Sequence, residues 1–334
     1  MTSKIRNRLS ILKSYLQKKP CFAGVPPTIG IEVTNRCNLN CIMCARGEMN
    51  RKLGDMRLST LRKIIDESKE YIEYVDLQSL GEPLLHRSFI KMIEYCKANN
   101  VKCGFSTNAS LLDEEKSNDI LSSGVNHVTL AFDGATKETY EKIRRGAKYD
   151  TVVTNIKHFL KLKNDKNSNC FVVIQCIYMR ETEKEVRAFR EMWNVVGVDA
   201  LRIRQVTHGI RKDEPADEKF VNPKRRMPCF WLWREPHIHW DGTVVPCCQD
   251  INGDHPLGSI ADNTLENLWN SEKMVELRKI HIKGKSRGIP LCKECNMYQP
   301  NLPMAVGFFT FDTFTVKKLI PPAETFVSKM RYKF

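Results

Sequence analysis

The sequence predicts an α/β fold: an open, partial (β/α)6 barrel of parallel strands, followed by a small cysteine-rich C-terminal domain. Two observations predict it. Apolar runs alternate with amphipathic stretches at the spacing of parallel β/α units, whose strands are buried on both faces and read as near-continuous apolar segments. After residue 228 the composition turns to Cys, Trp and His, where a second unit begins. With 334 residues and 42% hydrophobic content, the chain can bury one large core and carry an appendage.

Residues 1–27 form an N-terminal extension, Lys-rich but without the apolar core and cleavage site of a signal peptide. The barrel spans 28–207. Its first strand, 28–33, runs into a cysteine-rich loop, and a helix at 59–71 follows. The second strand, 74–80, ends in Ser79-Leu80-Gly81-Glu82-Pro83. A helix at 89–99 leads to strand 102–107, which ends in Ser106-Thr107-Asn108, and a helix at 113–122 leads to strand 127–132, which ends in Phe132-Asp133-Gly134. A helix at 149–162 precedes strand 170–178. The last helix, 184–196, is entered by a capping box of Thr182 and Glu185 and precedes strand 200–205. A polar, Pro-containing linker (208–228), the cysteine-rich domain (229–300) and a tail (301–334) complete the chain. The tail alternates aromatic and basic residues and is expected to pack on the barrel as an ordinary terminal element.

No apolar stretch approaches the roughly 20 residues needed to span a bilayer, so no transmembrane segment and a cytoplasmic location are expected. The chain has 13 cysteines, and they cluster at metal-ligand spacings rather than as a disulfide framework. The formal charge of +14 favours an anionic partner. Basic residues are scattered along helices, however, as on any solvated surface, and no nucleic-acid-binding module is legible.

The chemistry is concentrated in Thr34-Asn35-Arg36-Cys37-Asn38-Leu39-Asn40-Cys41-Ile42-Met43-Cys44. Three thiolates can hold three irons of a cubane [4Fe–4S] cluster and leave the fourth iron open; a zinc site or three buried structural thiols are the alternatives. A zinc site prefers four ligands, and no fourth donor lies in the loop. In parallel barrels the carboxyl ends of the strands carry the active site, which is where this loop and the other polar motifs fall.

The C-x3-C-x2-C spacing after a strand resembles that of the radical SAM superfamily. The resemblance implies that the open iron binds S-adenosylmethionine (SAM) and that one electron, from an external reductant of flavodoxin or ferredoxin type, yields a 5′-deoxyadenosyl radical. It implies that Gly81 and Glu82, in a variant of the "GGEP" element with Leu80 in the first glycine's place, receive the methionine ammonium. Ser106 and Asn108 fall at the ribose-contacting position and Met43 at the adenine shelf, while Arg144 and Arg145 are candidates for the methionine carboxylate. Asp133, in an "S-x-D-G" element with Ala131 replacing serine, is expected to touch substrate or cofactor.

The C-terminal unit reads Cys229-x12-Gly242-x4-Cys247, then Cys292-x2-Cys295. This resembles the opening of SPASM and twitch domains. With no cysteine beyond Cys295, the shorter twitch form is expected, its four thiols closing an auxiliary [4Fe–4S] cluster, as in radical SAM enzymes of the 2-deoxy-scyllo-inosamine dehydrogenase type. Taken alone, a four-cysteine zinc ribbon is the alternative. Cys21, Cys96, Cys103 and Cys170 read as buried small hydrophobes. Cys176 and Cys248 are candidate hydrogen-atom donors, and Arg202 and Arg204, ending the sixth strand, would lower a hydroxyl pKa or hold a phosphate.

The expected reaction is oxidation of a secondary alcohol on a small carbohydrate- or cyclitol-like, possibly anionic, substrate. The alternatives are epimerisation with a cysteine donor and modification of a ribosomal peptide. For the last, 27 residues before the first strand are too few for a leader-binding domain.

Overall fold

The computed structural model describes residues 2–205, 227–293 and 295; the linker expected at 208–228 falls outside them except at its last two residues, and the tail expected at 301–334 lies wholly outside them. Its six first strands are β1 (Thr28–Ile31), β2 (Tyr74–Asp76), β3 (Lys102–Thr107), β4 (His127–Ala131), β5 (Phe171–Tyr178) and β6 (Ala200–Gln205). Each pairs in parallel with the next. The helices of this part are α1 (Ser3–Leu16), α2 (Leu58–Ser68), α3 (Phe89–Ala98), α4 (Glu114–Ser122), α5 (Lys137–Ile143), α6 (Tyr149–Asp165) and α7 (Val186–Trp193).

The C-terminal unit contains α8 (Trp231–Arg234), β7 (His237–Ile238), β8 (Thr243–Val245), β9 (Gly258–Ser259), α9 (Leu265–Trp269), α10 (Glu272–Ile282) and α11 (Pro290–Lys293). It does not stand apart from the barrel. β7 pairs in parallel with β1, and β8 and β9 follow antiparallel, so that one sheet runs β6-β5-β4-β3-β2-β1-β7-β8-β9.

Alternation along the strands sorts the two faces. Val172, Ile174 and Cys176 of β5 and Ile203 of β6 enter the apolar core with Val186, Phe189 and Trp193 of α7. The other face carries Gln175, Arg202 and Arg204, with Gln175 opposite Arg202 and Ile177 opposite Arg204. On this concave face Arg202 acts electrostatically on Tyr74 of β2. In a flat sheet four strand spacings would separate them by roughly 19 Å, so the sheet curls into a partial barrel.

Three local expectations are corrected. β2 is shorter than expected because the chain leaves the strand after Asp76 and crosses to the cysteine loop, where Glu82 N–H donates to Arg36 O at 2.8 Å. Thr182 and Glu185 form no capping box. Thr182 Oγ1 donates to Ile177 O at 2.7 Å, and the Glu185 carboxylate accepts instead from Ala135 N, Thr136 N and the hydroxyls of Thr136 and Thr139, at the start of α5. Cys21 is exposed, on the connection between α1 and β1, whereas Cys96, Cys103 and Cys170 are buried as expected. Among the described residues no helix is long and apolar enough to cross a membrane.

Candidate active site at the strand carboxyl ends

The cysteine loop leaves β1 and is tied down before it reaches its first thiol. Thr34 Oγ1 donates to Asp55 Oδ1 at 2.6 Å, Asn35 Nδ2 donates to Lys52 O at 2.9 Å, and Gly54 N–H returns a bond to Asn35 Oδ1. Arg46 closes the loop by donating to Leu39 O at 2.8 Å. Two further bonds dock it on the end of α5 and the residues just beyond: Ile42 N–H to Ile143 O and Asn40 N–H to Arg145 O.

Cys37, Cys41 and Cys44 are each half-buried and act on one another electrostatically. Burial pushes the Cys37 thiol up, and pushes that of Cys41 up to about 11; Arg46 opposes the first shift and Arg144 the second. Leu39 N–H donates to Cys37 Sγ at 3.5 Å. A bound iron reverses that burial penalty by holding the thiolate form. Among the described residues no three such donors converge as around a single ion, and a cubane, which binds each cysteine to a different iron, does not require them to. The donor set fits an iron–sulfur cluster.

Beside it, Glu82 is a carboxylate only 2% exposed. Its Oε1 accepts from Thr107 Oγ1 at 2.7 Å and Leu84 N at 3.2 Å, and its Oε2 accepts from Asn108 N at 2.8 Å. Burial raises its proton affinity more than these donors and Arg144 lower it, so a cation brought to its remaining acceptor position would be held strongly. Gly81 sits so close to the loop that a Cβ there would lie 2.1 Å from Thr34 O. The residue must therefore be glycine.

The remaining cofactor candidates divide. Asn108 is committed to the cysteine loop: Nδ2 donates to Asn38 Oδ1 at 3.1 Å and reaches Cys37 Sγ at 4.0 Å, while Oδ1 accepts from Ser110. Ser106 and Met43 are half-buried, and Arg145 is exposed and contributes its carbonyl to the loop.

Two catalytic candidates lie inside the fold. Asp133 is 0% exposed, paired with Arg144 at 2.6 Å and accepting from Ile177 N–H, so its carboxylate is spent inside the fold. Arg144 in turn lies beside Cys41. Cys176 faces the helix-packed core, its thiol pushed up to about 12 by burial, because strand alternation turns it away from Gln175 and the concave face. Cys248 behaves otherwise. It is exposed, and Glu235, Cys295 and Arg204 are its electrostatic neighbours.

The second thiol set also assembles. Cys229 feels Cys295 and Cys292, and Cys247 feels Cys229 and Cys295. Gly242 takes a φ of +91° in the turn from β7 to β8 that brings Cys247 back, a conformation that favours glycine. Sequence reasoning missed His281, which stands between Cys229 and Cys292. A lone histidine on a helix gives no spacing signal.

A three-thiol loop at the strand ends of a partial barrel, with a four-thiol unit on the same sheet, defines an iron–sulfur protein built around an open cluster. Residues 31–192 match the Radical SAM superfamily, and residues 229–296 match the SPASM iron–sulfur cluster-binding domain. The chain belongs to the radical SAM superfamily and carries a C-terminal SPASM-type domain. It is 23% identical, over 80% of its length and 86% of the relative's, to the tungsten-containing aldehyde ferredoxin oxidoreductase cofactor-modifying protein of Pyrococcus furiosus. It is also 23% identical, over 73% of its length and 76% of the relative's, to the PqqA peptide cyclase of Gluconobacter oxydans. Among solved structures, BtrN in complex with AdoMet and 2-DOIA superposes with a TM-score of 0.58 and 16% identity, covering 88% of this chain and 99% of that one. The cofactors are SAM, a SAM-binding [4Fe–4S] cluster and an auxiliary [4Fe–4S] cluster.

Proposed function

We infer that this enzyme abstracts hydrogen from a carbohydrate- or cyclitol-like substrate and oxidises a secondary alcohol to a ketone. The observation that carries this reading is the concave face of β5 and β6. It presents Gln175, Arg202 and Arg204, with Arg204 coupled to Cys248 beside the second thiol set. Such a polar, cationic wall suits a small hydroxylated or phosphorylated molecule.

When bound, the clusters and SAM would supply one-electron chemistry: the hydrogen-abstracting power, and a sink for the electron that an oxidation releases. The protein's part is to hold and orient. Cys37, Cys41 and Cys44 would ligate the first cluster, and Cys229, Cys247, Cys292 and Cys295 the second. Glu82 and the Gly81 backbone would take the methionine ammonium, Ser106 and Met43 would hold the nucleoside, and Arg145 the carboxylate. Arg202 and Arg204 bind the substrate's oxygens. An external flavodoxin- or ferredoxin-type reductant and a reducing cytoplasm complete this reading.

Peptide modification is the second reading, favoured by the match to a peptide cyclase over 73% of the chain. One screen separates the readings: release of 5′-deoxyadenosine under anaerobic conditions across nucleotide sugars, aminocyclitols and short peptides, with products weighed in water and in deuterium oxide. Oxidation gives a ketone about two mass units lighter, without carbon-bound deuterium, because the abstracted hydrogen leaves as 5′-deoxyadenosine and the hydroxyl proton goes to solvent. A deuterated product of unchanged redox state, lost in Cys248→Ala, would establish an epimerase instead. Turnover of peptides alone would establish the second reading.

A further inference from the structure

His281 lies on α10 and is 1% exposed. The Cys229 N–H donates to its Nδ1 at 3.3 Å, and its Nε2 lies 3.4 Å from Cys292 Sγ. A neutral imidazole has one lone pair and one N–H. Since the lone pair of Nδ1 receives the Cys229 amide, the proton resides on Nε2 and points at the sulfur.

The ring cannot easily turn away. Arg278, one helical turn earlier on the same face, donates to Leu232 O at 2.8 Å and to Pro20 O at 3.0 Å, and its guanidinium packs over Phe22 and Trp269 at 4.7 Å each. These contacts fix α10 against α8, which starts just after Cys229.

The geometry points to His281 as a positioning residue of the auxiliary cluster: its Nε2–H donates to the Cys292 sulfur and raises the reduction potential of that cluster. A hydrogen bond to a ligand sulfur stabilises the reduced, more negative form more than the oxidised one. The same ring ties the backbone of Cys229 to the side chain of Cys292 and so orients two ligands at once. The consequence is a better electron acceptor, as substrate oxidation requires. The inference rests on reading Cys229, Cys247, Cys292 and Cys295 as the cluster's ligands.

The test is an EPR-monitored redox titration of the full-length, anaerobically reconstituted protein, in which the cluster signal unaltered by added SAM belongs to the auxiliary site. His281→Leu removes the donor at similar volume and should lower that cluster's reduction equilibrium constant about tenfold, or about 59 mV for a one-electron couple. His281→Gln, whose amide both donates and accepts, should restore the wild-type value to within about twofold. In wild-type protein labelled with 15N-histidine, pulsed EPR of the reduced auxiliary cluster should detect one weakly coupled imidazole nitrogen, a readout that does not depend on either variant folding. An unmoved potential in the Leu variant, equal shifts in both variants, or no histidine coupling in the wild type would overturn the inference. A protein that holds only the SAM-responsive cluster would overturn the ligand reading, and this inference with it.

Discussion

Glu82 illustrates how a buried charge waits for a partner. Its carboxylate accepts three bonds from Thr107, Leu84 and Asn108, yet burial still lifts its proton affinity above the ordinary value of 4.5. A carboxyl raised in this way contributes stability fully below pH 4.5 and loses it as pH rises through the raised value. A bound ammonium offsets the loss. SAM should therefore bind more tightly as pH rises through the titration of Glu82, with release of a proton. Glu82→Gln should weaken binding about tenfold or more and flatten the pH slope. Calorimetry in buffers of different ionisation enthalpy checks both, and an unchanged affinity and slope in the variant contradicts the assignment. At this scale the cysteines are legible in the sequence because their spacing is local. The ties of Asn108 and Arg144 to the cysteine loop are not, nor is His281, because these residues reach the thiols from other elements and carry no spacing of their own.

Helix α5 shows what a cap can do at a distance. Glu185, from the start of α7, accepts from the backbone of Ala135 and Thr136 and from the hydroxyls of Thr136 and Thr139. At its other end α5 runs into Ile143 and Arg145, whose carbonyls hold the cysteine loop. Burial pushes the Glu185 carboxyl up, but the donors of Ala135, Thr139 and Thr136 outweigh it and lower its pKa. The sign is thus opposite to that of Glu82: the stabilisation is present above 4.5 and disappears as pH falls through the lowered value. Glu185→Ala should cost about 1–2 kcal/mol at neutral pH, as lost caps do. It should also speed iron loss to a chelator, and its stability deficit should vanish in acid. Denaturant melts across pH and a chelator time course measure these effects; a variant with wild-type iron retention would break the proposed link. At this scale β1 to β4 are legible because burial leaves apolar runs, β5 and β6 because a buried face alternates with the polar concave one, and β3 and β6 match their expected bounds. Strands of two or three residues such as β7 and β9, and a helix as short as α5, are too brief for periodicity to mark. The capping-box pattern of Thr182 and Glu185 misleads because a tertiary partner competes for the carboxylate.

Across the whole molecule the N-terminal segment and the C-terminal unit are joined. Arg8 of α1 pairs with Glu73 next to β2 at 2.7 Å, Tyr15 Oη donates to Pro228 O at 2.9 Å, and Trp233 Nε1 donates to Lys19 O at 3.0 Å. Trp240 Nε1 donates to Lys52 O, and Arg51, bidentate on Glu32, donates to Ile251 O. The segments following Cys44 and Cys247 are thereby stitched together. The composition shift marks where the second unit begins; only the pairing of β1 with β7 reveals the shared sheet. The presence of a cubane cluster at both thiol sets of this one scaffold underlies the proposed chemistry. Its most direct test is the iron and zinc content of the anaerobically reconstituted protein beside a Cys37→Ala/Cys41→Ala/Cys44→Ala variant. About eight irons per chain, falling to about half in the variant, is the result expected of two [4Fe–4S] sites; tightly bound zinc at the second set, or iron that vanishes entirely with the first three cysteines, would contradict it.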